Sequence, residues 1–283
     1  NGKSDVFVVD RQLQTIERVS LGTGGVEGNG GSGGPDISGD GRFVVFLSAS
    51  TNLDPGDTHA ATDIYLRDRQ AQTTQLISVH LTPPVKPNSG GYDPRISPDG
   101  RFVVFDFGED IIVPGDSNGT WDVFLRDMTT GVTEMISLSS TQTQSNRQSW
   151  NPAVSADGRY VAFLSEATNW YPGNDPVHYH PYAYVRDRVL GTLTPVNLTS
   201  LGILDPSGYV YGSLDLSADG RFLVYMYVFW GKDVPPMWLD ALRVRDLLTG
   251  KTEPIAYSVF GNHSSNFLLD SKNPSIYADG RFI

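Results

Sequence analysis

Hydrophobic and polar residues along this chain change over in short blocks. Runs such as Phe43-Val-Val-Phe46 and Phe102-Val-Val-Phe105 are bounded on both sides by Asp, Gly, Ser and Pro, and no helical periodicity is present. Short apolar runs between turn residues predict β-strands. The runs also recur in a fixed order. Asp-Gly-Arg stands at Asp40, Asp99, Asp157, Asp219 and Asp279, at intervals of 58 to 62 residues, each copy leading into β-branched and aromatic residues. Self-similarity at a near-constant period means that one supersecondary unit is stacked several times.

Aligned copies read Pro35-Asp-Ile-Ser38-Gly-Asp40-Gly41-Arg42-Phe-Val-Val-Phe46 and Pro94-Arg-Ile-Ser97-Pro-Asp99-Gly100-Arg101-Phe-Val-Val-Phe105, with a third from Pro152 to Phe163. The fourth carries Leu214 in place of proline and the fifth Tyr277 in place of serine. Asp-Gly between apolar runs predicts a tight hairpin with a type I′ turn, here called strands A and B. A second signature follows in each copy: Asp63-Ile-Tyr-Leu-Arg-Asp68, Asp122-Val-Phe-Leu-Arg-Asp127, Tyr182-Ala-Tyr-Val-Arg-Asp187 and Ala241-Leu-Arg-Val-Arg-Asp246, each ending in a polar turn and a further strand-like run. That is a second hairpin, strands C and D.

Four antiparallel strands per unit predict an all-β fold, a β-propeller of four-stranded blades. The continuous apolar run of strand B fits a sheet covered on both faces by its neighbours. Blades are expected at 34–80, 93–139, 151–199 and 213–258 within a single domain over 1–283. The chain opens on a C-D pair, Asp5-Val-Phe-Val-Val-Asp10 onward, and ends on an A-B pair, so 274–283 with 1–21 would complete a fifth blade. The truncated last strand and the absent initiating methionine lead us to expect a piece of a longer chain.

Composition narrows the picture further. With 283 residues and 39% hydrophobic content the chain has material for a sizeable core. A net charge of -11 disfavours nucleic acid and anionic membranes as partners. Cysteine is absent, which removes disulfides, thiolate metal sites and cysteine nucleophiles. No apolar stretch is long enough to span a bilayer, the most hydrophobic segment being 222–230.

The pattern Pro-x-Ile-Ser-x-Asp-Gly-Arg-Phe-Val-Val-Phe, followed by Asp-Ile-Tyr-Leu-Arg-Asp and a Thr-Gly turn, resembles the WD40-like repeats of the TolB-type β-propeller family over nearly the whole chain. The resemblance implies binding and scaffold roles in the bacterial periplasm or outside the cell. It also implies use as an accessory domain of some peptidases.

Function is expected on the long D-to-A and B-to-C connections, which leave one end of an up-and-down blade while the short turns leave the other. Those connections are read as carrying Tyr92, Trp150, Tyr209 and Tyr211 (D-to-A) and Trp121, Trp170, Tyr171, Tyr179 and Trp238 (B-to-C), rings suited to a carbohydrate or protein partner or else folded back as small satellite cores. Two B-to-C connections, Pro55-Gly-Asp57 to Asp63 and Pro114-Gly-Asp116-Ser-Asn118 to Asp122, bring oxygen ligands into glycine-containing loops. They are candidate calcium loops, with Asx-turns as the other reading, and no other cofactor is expected. His178 and His180 lack a third ligand at zinc spacing. Gly30-Gly-Ser32-Gly-Gly34 matches the nucleophile elbow only in letters, because a strand follows it where that motif needs a helix. Were the chain a propeller enzyme of the glycoside hydrolase type, Asp36, Asp93 and Asp215 at the head of inner strands A, with Asn151 and Asn273 in the other copies, would be its acids; otherwise they cap those strands.

Overall fold

The computed structural model describes residues 1–57, 61–81, 90–171, 181–197, 208–231, 237–259, 274–276 and 280, with the side chains of 229–231, 237–241 and 256–259 outside that description. Among the described residues every regular element is a strand. The chain opens on a hairpin, β1 (Phe7–Asp10) with β2 (Thr15–Arg18). Four antiparallel sheets of four strands follow, each paired in sequence order. They are β3 (Ser32–Ile37), β4 (Phe43–Ser48), β5 (Asp63–Asp68) and β6 (Thr73–Leu76); then β7 (Gly91–Ile96), β8 (Phe102–Phe107), β9 (Asp122–Asp127) and β10 (Val132–Met135). The third sheet holds β11 (Ser149–Val154), β12 (Tyr160–Ser165), β13 (Tyr182–Asp187) and β14 (Thr192–Pro195). The fourth has longer strands, β15 (Gly208–Leu216), β16 (Phe222–Gly231), β17 (Met237–Asp246) and β18 (Thr252–Val259). These are the predicted A-B-C-D units. Most of the proposed closing segment, 274–283, lies outside the described residues.

The chain divides into two compact units, Asn1–Met135 and Ile136–Ile283. In the first, Val45, Leu66, Ile96, Val103 and Phe105 form a core between the first two sheets, and Val6, Val19, Phe46 and Tyr65 seat the opening hairpin on the first sheet. In the second, Ala162, Leu164, Val185, Leu214 and Tyr225 fill the space between the third and fourth sheets.

The Asp-Gly-Arg turn differs from expectation in type. The Gly41 N–H donates to the Ser38 carbonyl at 2.8 Å and only Gly41, at φ 73°, has positive φ. A type I′ turn would need positive φ at Asp40 as well, so this is a four-residue loop built on a type I turn with a left-handed glycine after it. The preceding serine explains the choice. Ser38 Oγ donates to Asp40 Oδ1 at 2.7 Å and accepts from the Phe43 N–H at 2.9 Å, while the Arg42 N–H donates to Asp40 Oδ1 at 2.9 Å. The same bonds recur around Asp99, Asp157 and Asp219.

The arginine joins the two sequence signatures. Arg42 donates Nε and Nη2 to Asp68 at 3.0 and 2.6 Å and lies over the Phe43 ring at 4.6 Å. Asp68 Oδ1 also accepts the Gln70 and Ala71 N–H groups, which fixes the C-D turn. Arg101 with Asp127, Arg159 with Asp187 and Arg221 with Asp246 repeat the fork. Each A-B turn is thus bolted to its own C-D turn, and both are committed to structure.

Strand A begins earlier than the motif, because a bulge keeps it in the ladder. The register shifts between Gly33 and Asp36, Tyr92 and Arg95, and Trp150 and Ala153. The extra residue is left-handed in each case: Gly34, Asp93 and Asn151 have φ of 54°, 46° and 56°.

Candidate functional site

The long connections leave each sheet at the end opposite the Asp-Gly-Arg turns, as antiparallel pairing requires. In the first repeat the two are tied together by asparagine. Asn29 Nδ2 donates to Thr51 Oγ1, the Thr51 N–H donates to Asn29 Oδ1, and Asn52 Nδ2 donates to the Glu27 carbonyl. Asn146, Thr168 and Asn169 reproduce the clamp in the third repeat. Loops held by side-chain bonds to backbone lose little entropy on binding.

The aromatic candidates separate by environment. Tyr92, Trp150, Tyr209 and Tyr211 were assigned to loops, but the bulge carries the ladder past them and they stand in β7, β11 and β15. Trp238 likewise stands in β17, paired in register with Trp230. Trp170 folds back: its indole N–H donates to the Thr143 carbonyl at 3.0 Å and its ring meets Phe163 and Tyr184 edge-on. Trp150 packs on the core of the second unit. Tyr171 is half-buried, and Tyr179, His178 and His180 lie outside the described residues. Tyr92 and Trp121 come together, ring centroids 5.2 Å apart and tilted by 56°. Trp121 lies on Gly108, where a Cβ would come within 2.8 Å of the indole, and Tyr92 keeps 43% of its surface exposed.

Beside that pair lies the second candidate calcium loop. Asp110 accepts the Gly119 N–H with both oxygens, at 3.0 and 3.1 Å, which closes the loop. Asp116 sits inside it with both carboxylate oxygens sealed from solvent, beside the backbone N–H groups of Ser117 and Asn118. Burial, then the charges of Asp122 and Asp110, push its carboxyl up to about 7. The first-repeat loop uses its residues differently. Asp57 accepts the Tyr65 hydroxyl at 2.5 Å, and Asp54 accepts the N–H groups of Gly56 and Leu76. Burial and then the bond to Asp57 hold the Tyr65 phenol well above its ordinary range. Asp63 accepts Ser78 Oγ at 2.6 Å and has His80 Nε2 at 3.2 Å. Asn118 turns its Oδ1 onto the Thr120 N–H, and Asp122 is fully buried at the head of β9. Among the described residues no three His, Cys, Asp or Glu side chains are gathered into a ready-made metal cage. The sequence reading overlooked Asp54, Asp110 and Tyr65. The Tyr-for-Phe difference between Asp63-Ile-Tyr65 and Asp122-Val-Phe124 was the available signal.

The three inner-strand aspartates do not share one position. Asp36 pairs with Val45 and Asp215 with Val224 at equivalent rungs, where the second repeat has Arg95 and the third Ala153. Their carboxylates reach forward: Asp36 Oδ2 accepts the Ile96 N–H at 2.8 Å and Asp215 Oδ2 accepts the Ile276 N–H at 2.9 Å. Asp93 instead occupies the bulge, where the third repeat has Asn151, whose Nδ2 donates to the Gly212 carbonyl at 2.6 Å. Asn273 lies outside the described residues. Burial raises the carboxyls of both Asp36 and Asp93, and Arg95 opposes the rise in each.

No protein-family model matches the chain, and no curated protein sequence matches it. Solved structures do match. Oligogalacturonate lyase from Vibrio parahaemolyticus aligns at 16% identity with a TM-score of 0.56, covering 94% of this chain and 62% of the lyase. The tricorn protease aligns at 14% identity with a TM-score of 0.53, over 89% of this chain and 24% of the protease. TolB from Acinetobacter baumannii aligns at 16% identity with a TM-score of 0.48, over 88% of this chain and 48% of TolB. The chain therefore spans less than two thirds of each of these proteins. It shares the propeller-like fold of the lyase and the protease, and at these identities only the fold is shared. No helix of the described residues is long and apolar enough to cross a membrane.

Proposed function

We propose that this chain is a non-catalytic binding module, a propeller that presents its long-connection end to a carbohydrate or protein partner. The Tyr92–Trp121 pair carries the reading. It is an aromatic surface, exposed at Tyr92 and fixed from below by Gly108, next to a bonded loop. Such a pair stacks on a sugar face or a peptide side chain with little ordering cost. The acidic composition fits a partner other than nucleic acid, and the TolB-like repeat pattern supports a bacterial periplasmic or extracellular setting. Five blades complete the architecture. Asp10 caps its turn through Gln12 and Leu13, as Asp68 caps its own, which gives the opening hairpin the C-D turn of the complete blades. Arrays of glycans and peptides probed with the chain should yield a ligand whose affinity falls about tenfold in Tyr92→Ala or Trp121→Ala, about 1.4 kcal/mol. Wild-type affinity of both variants for that ligand refutes the reading.

A second reading rests on Asp36 and Asp93, two carboxyls raised by burial on neighbouring strands with Arg95 beside both. Raised acids in one place suit general acid catalysis on glycosides, alone or beside a larger hydrolase or peptidase. Turnover of any member of a glycoside panel that is lost in Asp93→Asn selects this reading over the first.

A further inference from the structure

We infer that Asn118-Gly119 is a self-modification site, at which the native loop promotes loss of the Asn118 side-chain amide and converts the residue to aspartate or isoaspartate. Asparagine before glycine is the step at which this chemistry meets least obstruction, because glycine puts no side chain beside the attacking nitrogen. Three groups are already in place. The nucleophile is the Gly119 nitrogen, in an exposed residue at φ 68° with nothing within 4 Å of where a Cβ would stand. Its N–H points at a base, since both oxygens of Asp110 accept it, at 3.0 and 3.1 Å. The electrophile is Asn118 Cγ, whose Oδ1 accepts the Thr120 N–H at 3.2 Å, a donor placed where the oxyanion develops.

The step balances with water as its co-reactant. The Gly119 nitrogen bonds to Asn118 Cγ while its proton passes to Asp110, then the Cγ–Nδ2 bond breaks and ammonia leaves with that proton. Water opens the cyclic imide at Cγ to leave aspartate, or at the backbone carbonyl to leave isoaspartate. A second Asn-Gly step serves as the comparison. At Asn29 the amide is pinned, with Nδ2 on Thr51 Oγ1 and Oδ1 on the Thr51 N–H, each at 2.9 Å. The Gly30 N–H faces the neutral Ser50 Oγ at 2.9 Å, and a Cβ on Gly30 would fall 2.3 Å from the Ala49 carbonyl oxygen, so that backbone has no room to turn. The new carboxylate at 118 adds charge to a loop that already holds Asp110 and Asp116, and the loop runs straight into Trp121, the ring partner of Tyr92. The modification does not depend on the binding-module reading.

Peptide mapping by mass spectrometry tests it on the intact chain, with the rate at Asn29 read from the same digests. At neutral pH, Asn118 should convert faster in the folded chain than in the same chain unfolded in urea, and Asn29 should convert more slowly folded than unfolded. Asp110→Asn keeps an oxygen for the Gly119 N–H and removes the base, so it should slow conversion at Asn118 roughly tenfold or more while Asn29 is unmoved. If that variant does not fold, the folded-against-unfolded ratio in wild type decides alone. Conversion at Asn118 no faster folded than unfolded overturns the inference. So does an Asp110→Asn rate equal to or above wild type, which would make the carboxylate a restraint on the loop.

Discussion

Gly100 is asked to do two things at once, and the two can be measured apart. Its φ of 76° is left-handed, and a Cβ built there would fall 2.3 Å from Cδ2 and 2.9 Å from Cε2 of Phe43, the ring after the arginine of the preceding repeat. Gly41 holds the same turn position at φ 73°, yet its nearest neighbours are Arg69 Nη1 at 3.6 Å and Ile37 Cδ1 at 4.0 Å. Alanine at Gly41 therefore meets only the backbone penalty, about 1 kcal/mol after the reduced freedom of the unfolded chain is counted. Alanine at Gly100 meets that penalty plus a clash with a packed aromatic ring, which adds about 1–3 kcal/mol. Urea unfolding at constant m should place Gly100→Ala about 2–4 kcal/mol and Gly41→Ala about 1 kcal/mol below wild type. Truncating Phe43 to alanine should bring the Gly100→Ala loss down toward the Gly41 value, since the two residues couple only by contact. Equal losses at the two glycines, or an excess at Gly100 that survives truncation of Phe43, would refute the claim that this glycine packs adjacent sheets together. Gly220, whose Cβ would fall 2.3 Å from Tyr160 Cδ2, offers the same test in the second unit.

Three further outcomes are expected. Hydrogen bonds from Arg101 hold the Asp127 carboxyl at about 2, below its ordinary 3.8. The folded value is depressed, so the pair stabilises fully above about pH 4 and fades as pH falls through 2, an effect kept small by solvent screening around the half-exposed Arg101. Urea midpoints of wild type and Arg101→Met should differ at pH 7 and converge near pH 2. Arg186 donates to the carbonyls of Leu138 and Ser139 at 3.0 and 2.8 Å, so Arg186→Met should cost about 3 kcal/mol by denaturant midpoint. Gln14 sits at φ 54° in an exposed turn where three of the four corresponding residues, Gly131, Gly191 and Gly250, are glycine and the fourth, Gln72, is again glutamine at φ 56°. Gln14→Gly should raise the unfolding midpoint by about 0.5 kcal/mol.

The strands were legible in the sequence because each is announced by residues that act locally. Ser38, Asp40 and Gly41 make their turn within six residues, and Asp68 caps the turn it begins. The bulge was hidden for the opposite reason. Gly34, Asp93 and Asn151 share a backbone shape and no side-chain chemistry, so Asp93 was aligned with Asp36 and Asp215, which stand two rungs away in role. The site was legible only as a pool of residue types. That Trp170 is spent on Thr143 while Tyr92 stays exposed depends on partners far along the chain.

The repeats therefore sort the residues by a rule that composition does not provide. A position filled alike in every copy, such as the Arg42–Asp68 fork, holds the sheets together, because every sheet needs it. A position that differs between otherwise matched copies is free of that duty. Gly33, Tyr92, Trp150 and Tyr211 occupy one rung of the four sheets, opposite Leu47, Asp106, Leu164 and Met226. Tyr65 and Phe124 occupy another. The first difference stands at the long-connection end of the second sheet, where the exposed Tyr92 meets Trp121. A scaffold that repeats four times has little structural reason to leave an exposed ring at one copy of that rung, and recognition of a ligand is a reason that needs only one copy.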